Sequence, residues 1–88
     1  MDMDIGVEIS LYPLDSNYIP TIKDFIDRLN AHAELRIVTN SLSTQVFGSF
    51  DAVFAALKQE FGTTFLNRER EAGKAVFVMK VIGPLAQA

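Results

Sequence analysis

The sequence predicts an α+β fold with the element order strand, helix, strand, strand, helix, strand. Two observations carry this reading. Four short stretches rich in β-branched side chains read as strands, with clean period-two alternation in residues 5–12 and apolar residues on both phases in 75–82, and apolar residues recur every three or four residues in the two longer stretches among them. Turn-forming residues, Pro13 with the Asp15, Ser16, Asn17 run and Asn40 with Ser41, fall between these stretches.

In the first strand, residues 5–12, apolar Val7, Ile9 and Leu11 alternate with Glu8, Ser10 and Tyr12. Pro13 has no ladder donor and is expected to end it. From Ile19 the stripe Ile22, Phe25, Ile26, Leu29 and Ala33 marks a helix that keeps Lys23, Asp24, Asp27 and Arg28 wet. Pro20 fits its first turn, where no amide donor is needed. The segment "ELRIVTNSLSTQVFGSF" reads as two strands, about 35–39 and 43–48, joined by a turn at Asn40 and Ser41. Ser49 is a candidate N-cap for a second helix with the stripe Phe50, Val53, Phe54, Leu57 and Phe61, which Gly62 is expected to stop or kink. "NREREAGK", residues 67–74, is expected to be a solvated charged turn, and "AVFVMKVI", 75–82, a strand apolar on both faces.

This order is the split βαβ of the ferredoxin-like fold, a four-stranded antiparallel sheet with the first and third strands central and both helices on one face. The other face is bare. If Val7, Ile9, Leu11 and Val46 face the helices, then Glu8, Ser10, Tyr12, Ser43, Gln45 and Phe47 converge on that bare face.

At 88 residues the chain is expected to form a single domain, 1–88, with room for one core. Hydrophobic residues make up 49% of it, more than a small interior hides, so part of the apolar surface is expected to cover a second subunit or a ligand. A net charge of −3 argues against nucleic acid and against anionic lipid, both of which require a basic patch. The N-terminus carries two Asp and no Lys or Arg ahead of an apolar run, unlike a secretory signal, and no stretch approaches the ~20 apolar residues of a membrane span. A cytoplasmic protein is expected.

Catalysis finds little support. With no Cys there is no thiolate metal site or Cys nucleophile, and His32, the one histidine, is expected to be exposed near the end of the first helix. "PLDSNYIP" offers neither the arginine nor the glycines of a phosphate loop, and no Gly-x-Ser-x-Gly turn occurs. "VFGSF" has the aromatics of an RNA-binding strand but not its basic neighbours. No catalytic residue, metal site or cofactor is expected, and the chain reads as a non-enzyme.

What remains is binding. Glu8 supplies a carboxylate, Ser10, Ser43 and Gln45 neutral hydrogen-bonding groups, and Tyr12, Phe47 and one of Phe77 or Val78 apolar walls, an inventory suited to a flat, cationic or amine-bearing heteroaromatic. The same aromatics would equally well pack against a second subunit, and aromatic stripes serve interfaces more often than ligand sites.

The segments "EISLYPL", "YIPTIKDFIDRL" and "TNSLSTQVFGSFDAVFAALKQEF" resemble the YkoF-like thiamine and hydroxymethylpyrimidine-binding family. The most specific pieces are a Ser-x-Tyr-Pro-Leu strand end, met by Ser10, Tyr12, Pro13 and Leu14, and a Ser-Thr-x-x-x-Gly strand before an acidic helix start, met by Ser43, Thr44, Gly48 and Asp51. The resemblance implies ferredoxin-like subunits pairing through their sheets into homodimers or homotetramers, with thiamine or its pyrimidine half as ligand for uptake, storage or sensing. It adds Thr44 to the candidate site. It also adds Asn40, whose turn borders the implied pocket and carries Asn40, Ser41 and Leu42 where a Gly-Pro-Met type segment is more typical. The alternative is an oligomerising or regulatory interaction module with no thiamine ligand.

Overall fold

The computed structural model describes residues 3–86. It comprises β1 (Asp4–Pro13), α1 (Ile19–Asn30), β2 (Arg36–Thr39), β3 (Thr44–Ser49), α2 (Phe50–Arg70) and β4 (Ala75–Leu85). The strands form one antiparallel sheet in the order β2-β3-β1-β4, the ferredoxin-like arrangement, with β1 and β3 central.

Ile5, Val7 and Ile9 of β1 and Val46 of β3 point to one face, and Phe25 and Leu29 of α1 with Val53, Ala56 and Leu57 of α2 close over them. Ten apolar residues are buried in this cluster, at roughly 1.5 to 3 kcal/mol for each large side chain. Ser49 caps α2 as expected: its hydroxyl accepts the backbone N–H of Ala52 at 3.3 Å.

Pro13 ends β1 as expected, as its last paired residue, opposite Ala75. Here it meets only β4, so its missing N–H costs no ladder bond on a second side. Three other expectations need correction. Gly62 does not stop α2, which continues to Arg70. The propensity cost of a helical Gly, about 1 kcal/mol, is outweighed because the buried stripe carries on past it through Glu60, Thr64 and Arg68.

The charged run is therefore not a solvated turn throughout. Residues 67–70 are the last helical turn, and Arg68 is 3% exposed. Its guanidinium donates to Asp15 (3.3 Å), Glu71 (2.9 Å) and the Lys74 carbonyl (3.3 Å), tying the β1–α1 loop to the end of α2. The backbone N–H of Asn17 and this guanidinium hold the Asp15 carboxyl below its ordinary value. The helix closes with the N–H of Gly73 donating to the Arg68 carbonyl and that of Ala72 to Glu69, with Ala72 at φ 55°, in the left-handed region.

His32 is not freely exposed either. It follows α1, and its Nε2 lies 2.6 Å from Oε2 of Glu60 and its Nδ1 3.2 Å from Oε1 of Glu34. Arg28 reaches the same Glu60 carboxylate and donates to the Thr64 hydroxyl at 2.7 Å, so one polar cluster joins α1 to α2.

Candidate functional site

The two ladders of β1 end at different places. Pairing with β3 stops at Ile9 opposite Thr44, whereas pairing with β4 continues to Pro13 opposite Ala75. Over residues 10–13 the β3-side edge of β1 thus has no strand beside it. The first turns of α1 pass this gap on one flank and the β2–β3 turn closes the other, leaving an open cavity of about 410 Å³.

Its walls come from three sources. Tyr12 and Tyr18 stand at the rim, each about half exposed, while Phe25, Ile22 and Ile26 form the α1 side. Ser10, Thr39, Ser43 and Thr44 contribute hydroxyls, and Asn40 an amide. Among the described residues that line it, none is charged.

The β2–β3 turn is held from within and from β1. The backbone N–H groups of Leu42 and Ser43 donate to Oδ1 of Asn40 at 2.8 and 3.0 Å, and the Asn40 N–H donates to the Ser43 carbonyl at 3.0 Å. This is an Asx turn, the reason an Asn stands where β2 ends. From β1, the Ser10 hydroxyl donates to the Leu42 carbonyl (3.4 Å), and the Ser43 hydroxyl donates to Oε2 of Glu8 (3.2 Å). Behind the turn the hydroxyls of Thr39 and Thr44 lie 3.4 Å apart.

The nine residues singled out from the sequence fall into four groups. Ser10, Tyr12, Asn40, Ser43 and Thr44 surround the cavity. Glu8 lies one hydrogen bond behind Ser43 and does not line it. Gln45 and Phe47 continue along the bare face toward the far end of the sheet, where Phe47 lies against Gly6 and under the Arg36 guanidinium, 4.2 Å from the ring centroid.

Phe77 is on the other face. It is opposite Leu11, and its ring lies 4.2 Å from that of Phe61, 5.0 Å from Phe25 and 5.4 Å from Phe65. Val78, opposite Ser10, takes the bare-face position instead. Because β4 is apolar on both sides, alternation alone does not set its phase.

Sequence reasoning missed Tyr18, Ile22, Ile26 and Leu42 as lining residues. A signal existed for three of them. Tyr18, Ile22 and Ile26 repeat at four residues, a ridge beside the buried Phe25 and Leu29, so the apolar stripe of α1 is wider than the core requires.

The YKOF-related family matches residues 4–79. Among solved structures, a hypothetical protein from Methanocaldococcus jannascii superposes with a TM-score of 0.78 at 19% identity, covering 98% of this chain and 86% of that one. A candidate thiamine biosynthesis/salvage protein from Thermotoga maritima gives 0.75 at 14% identity (89% and 81% covered), and a domain of unknown function from Bacillus cereus 0.73 at 15% (96% and 80%). At these identities the likeness is one of fold. No curated protein sequence matches the chain. With 76 consecutive residues matched, from the start of β1 into β4, the chain belongs to the YKOF-related family.

Proposed function

We propose that this chain is a non-enzymatic cytoplasmic protein that binds thiamine or its hydroxymethylpyrimidine half, for uptake, storage or sensing, and that its subunits assemble as a homodimer or homotetramer through the sheet. The observation that carries the reading is the notch where β1 outruns β3. It joins an unpaired strand edge, which offers backbone donors and acceptors in one line, to two aromatic side chains and a set of neutral hydroxyls. An aminopyrimidine presents an amine donor and a ring-nitrogen acceptor along one edge and flat apolar faces above and below, which is the complement of such a notch. A cavity of about 410 Å³ lies within the range of small-ligand sites. Family membership and the thiamine-salvage description of the Thermotoga maritima neighbour support the same ligand class.

Ligand-induced thermal stabilisation tests it. Thiamine or hydroxymethylpyrimidine at one hundred times its dissociation constant adds about 2.7 kcal/mol to the stability of a protein that binds it only when folded.

A second reading, an interaction module without such a ligand, is favoured by one observation. The edge strand β4 exposes Val76, Val78 and Ile82 on the bare side and Met79 and Val81 on the other. The absence of any stabilisation by either compound, in a protein that self-associates, would select it.

A further inference from the structure

We infer that Leu42, at the tip of the β2–β3 turn, sets which occupant the notch accepts, favouring a neutral heterocycle over one that carries a fixed positive charge. This rests on the ligand-site reading proposed above. Leu42 is 87% exposed, yet it borders the cavity. An apolar side chain so placed is covered only when something enters beside it. Its position is set in advance, since Asn40 Oδ1 grips the N–H groups of Leu42 and Ser43, and Ser10 donates to the Leu42 carbonyl.

The lining of the notch favours a neutral occupant. The hydroxyls and amide around the notch pair with a neutral donor–acceptor edge, but no lining side chain among the described residues balances an ion. A cationic ring drawn past Leu42 would leave water for an uncompensated site. Glu8 does little to relieve this. Its carboxylate is engaged by Ser43, and it sits in register with Lys80 on β4, whose charge opposes its own.

Calorimetric titration of hydroxymethylpyrimidine and of thiamine, in a buffer where the free pyrimidine is uncharged, tests the inference. The wild-type chain is expected to bind the pyrimidine about tenfold more tightly than thiamine. Leu42→Asp should move that ratio toward thiamine by about threefold to fivefold, the scale of an exposed ion pair, while Leu42→Asn, equally polar but neutral, should not. Circular-dichroism melts of both variants should match wild type, because the side chain is exposed. Equal affinities of wild type for the two compounds, or a ratio in Leu42→Asp no different from that in Leu42→Asn, would overturn the inference and leave the ligand site standing. Absence of heat from both compounds with the wild-type chain would overturn both.

Discussion

Nε2 of His32 lies 2.6 Å from Oε2 of Glu60, a carboxylate whose side chain is 5% exposed in the seam between α1 and α2. The other ring nitrogen faces Glu34, so both nitrogens have acceptors and the doubly protonated ring satisfies both. The hydrogen bond to Glu60 raises the His32 pKa above its ordinary 6.5, against the opposing effect of burial. For Glu60, burial pushes upward, but hydrogen bonds from His32 and Arg28 more than offset it and hold the carboxyl below its ordinary 4.5.

The linkage signs differ for the two groups. A raised folded pKa at His32 means that its stabilisation is complete below about pH 6.5 and is lost as pH rises through the higher folded value. A lowered one at Glu60 means stabilisation present above about pH 4.5 and lost as pH falls through the folded value. Urea midpoints measured across pH should therefore decline on both sides of a slightly acidic optimum. His32→Gln, which retains a donor but does not titrate, should flatten the alkaline limb and shrink the acid limb without abolishing it, because Arg28 still holds the Glu60 carboxylate. Equal alkaline limbs in both proteins would remove His32 from the account.

The turn after α2 makes a second prediction. Ala72 holds a left-handed backbone that costs an L-residue about 1 kcal/mol, so Ala72→Gly should raise stability by about 0.5 to 1 kcal/mol. At the next position the sign reverses. A Cβ at Gly73 would run into the Arg68 guanidinium, and Gly73→Ala should cost about 1 to 3 kcal/mol by displacing a buried cation held by Asp15, Glu71 and the Lys74 carbonyl. Chemical denaturation of the two variants reads both effects.

Phe77 and Phe47 should respond differently to truncation. Phe77 is the hub of a four-ring cluster under the helices, and Phe77→Ala should cost about 3 to 5 kcal/mol. Phe47 packs on the bare face against Gly6 and Arg36, so Phe47→Ala should cost only about 1 to 2 kcal/mol. Denaturant midpoints that ranked the two in the opposite order would reverse the faces assigned to them.

The contrast between these two residues shows what was legible in the sequence. Strands β1 and β3 alternate apolar with polar, so their facing is fixed and Phe47 is placed by its neighbour Val46. Strand β4 has valines on both phases, and only the observed pairing of Leu11 with Phe77 sets it. The second half of α2 was hidden for a related reason. Its inward stripe passes from Val53 and Leu57 to Glu60, Thr64 and Arg68, whose burial depends on partners at Arg28, His32 and Asp15 that are distant in sequence. The candidate cavity was half legible. Ser10, Tyr12 and Ser43 came from strand alternation, and Asn40 and Thr44 only from the family resemblance, but the contribution of α1 depends on where β3 stops, which no local pattern encodes.

Self-association is the fourth prediction. The exposed Val76, Val78 and Ile82 of the edge strand form an apolar strip beside Tyr12 on the bare face, and a second copy is the occupant proposed for it. Light scattering at micromolar concentration should give at least twice 9.8 kDa, and Val78→Lys should shift the protein toward the monomer. A single-chain mass for wild type throughout that range would exclude assembly through this face.

The most direct test of the ligand site is amide chemical-shift mapping of the isotopically labelled chain during titration with hydroxymethylpyrimidine. Saturable shifts should concentrate on residues 10–13, 18–26 and 40–44, around the notch where β1 outruns β3. Shifts confined to β4 and to Gln45 and Phe47 on the bare face, or no saturable shifts at all, would contradict the account.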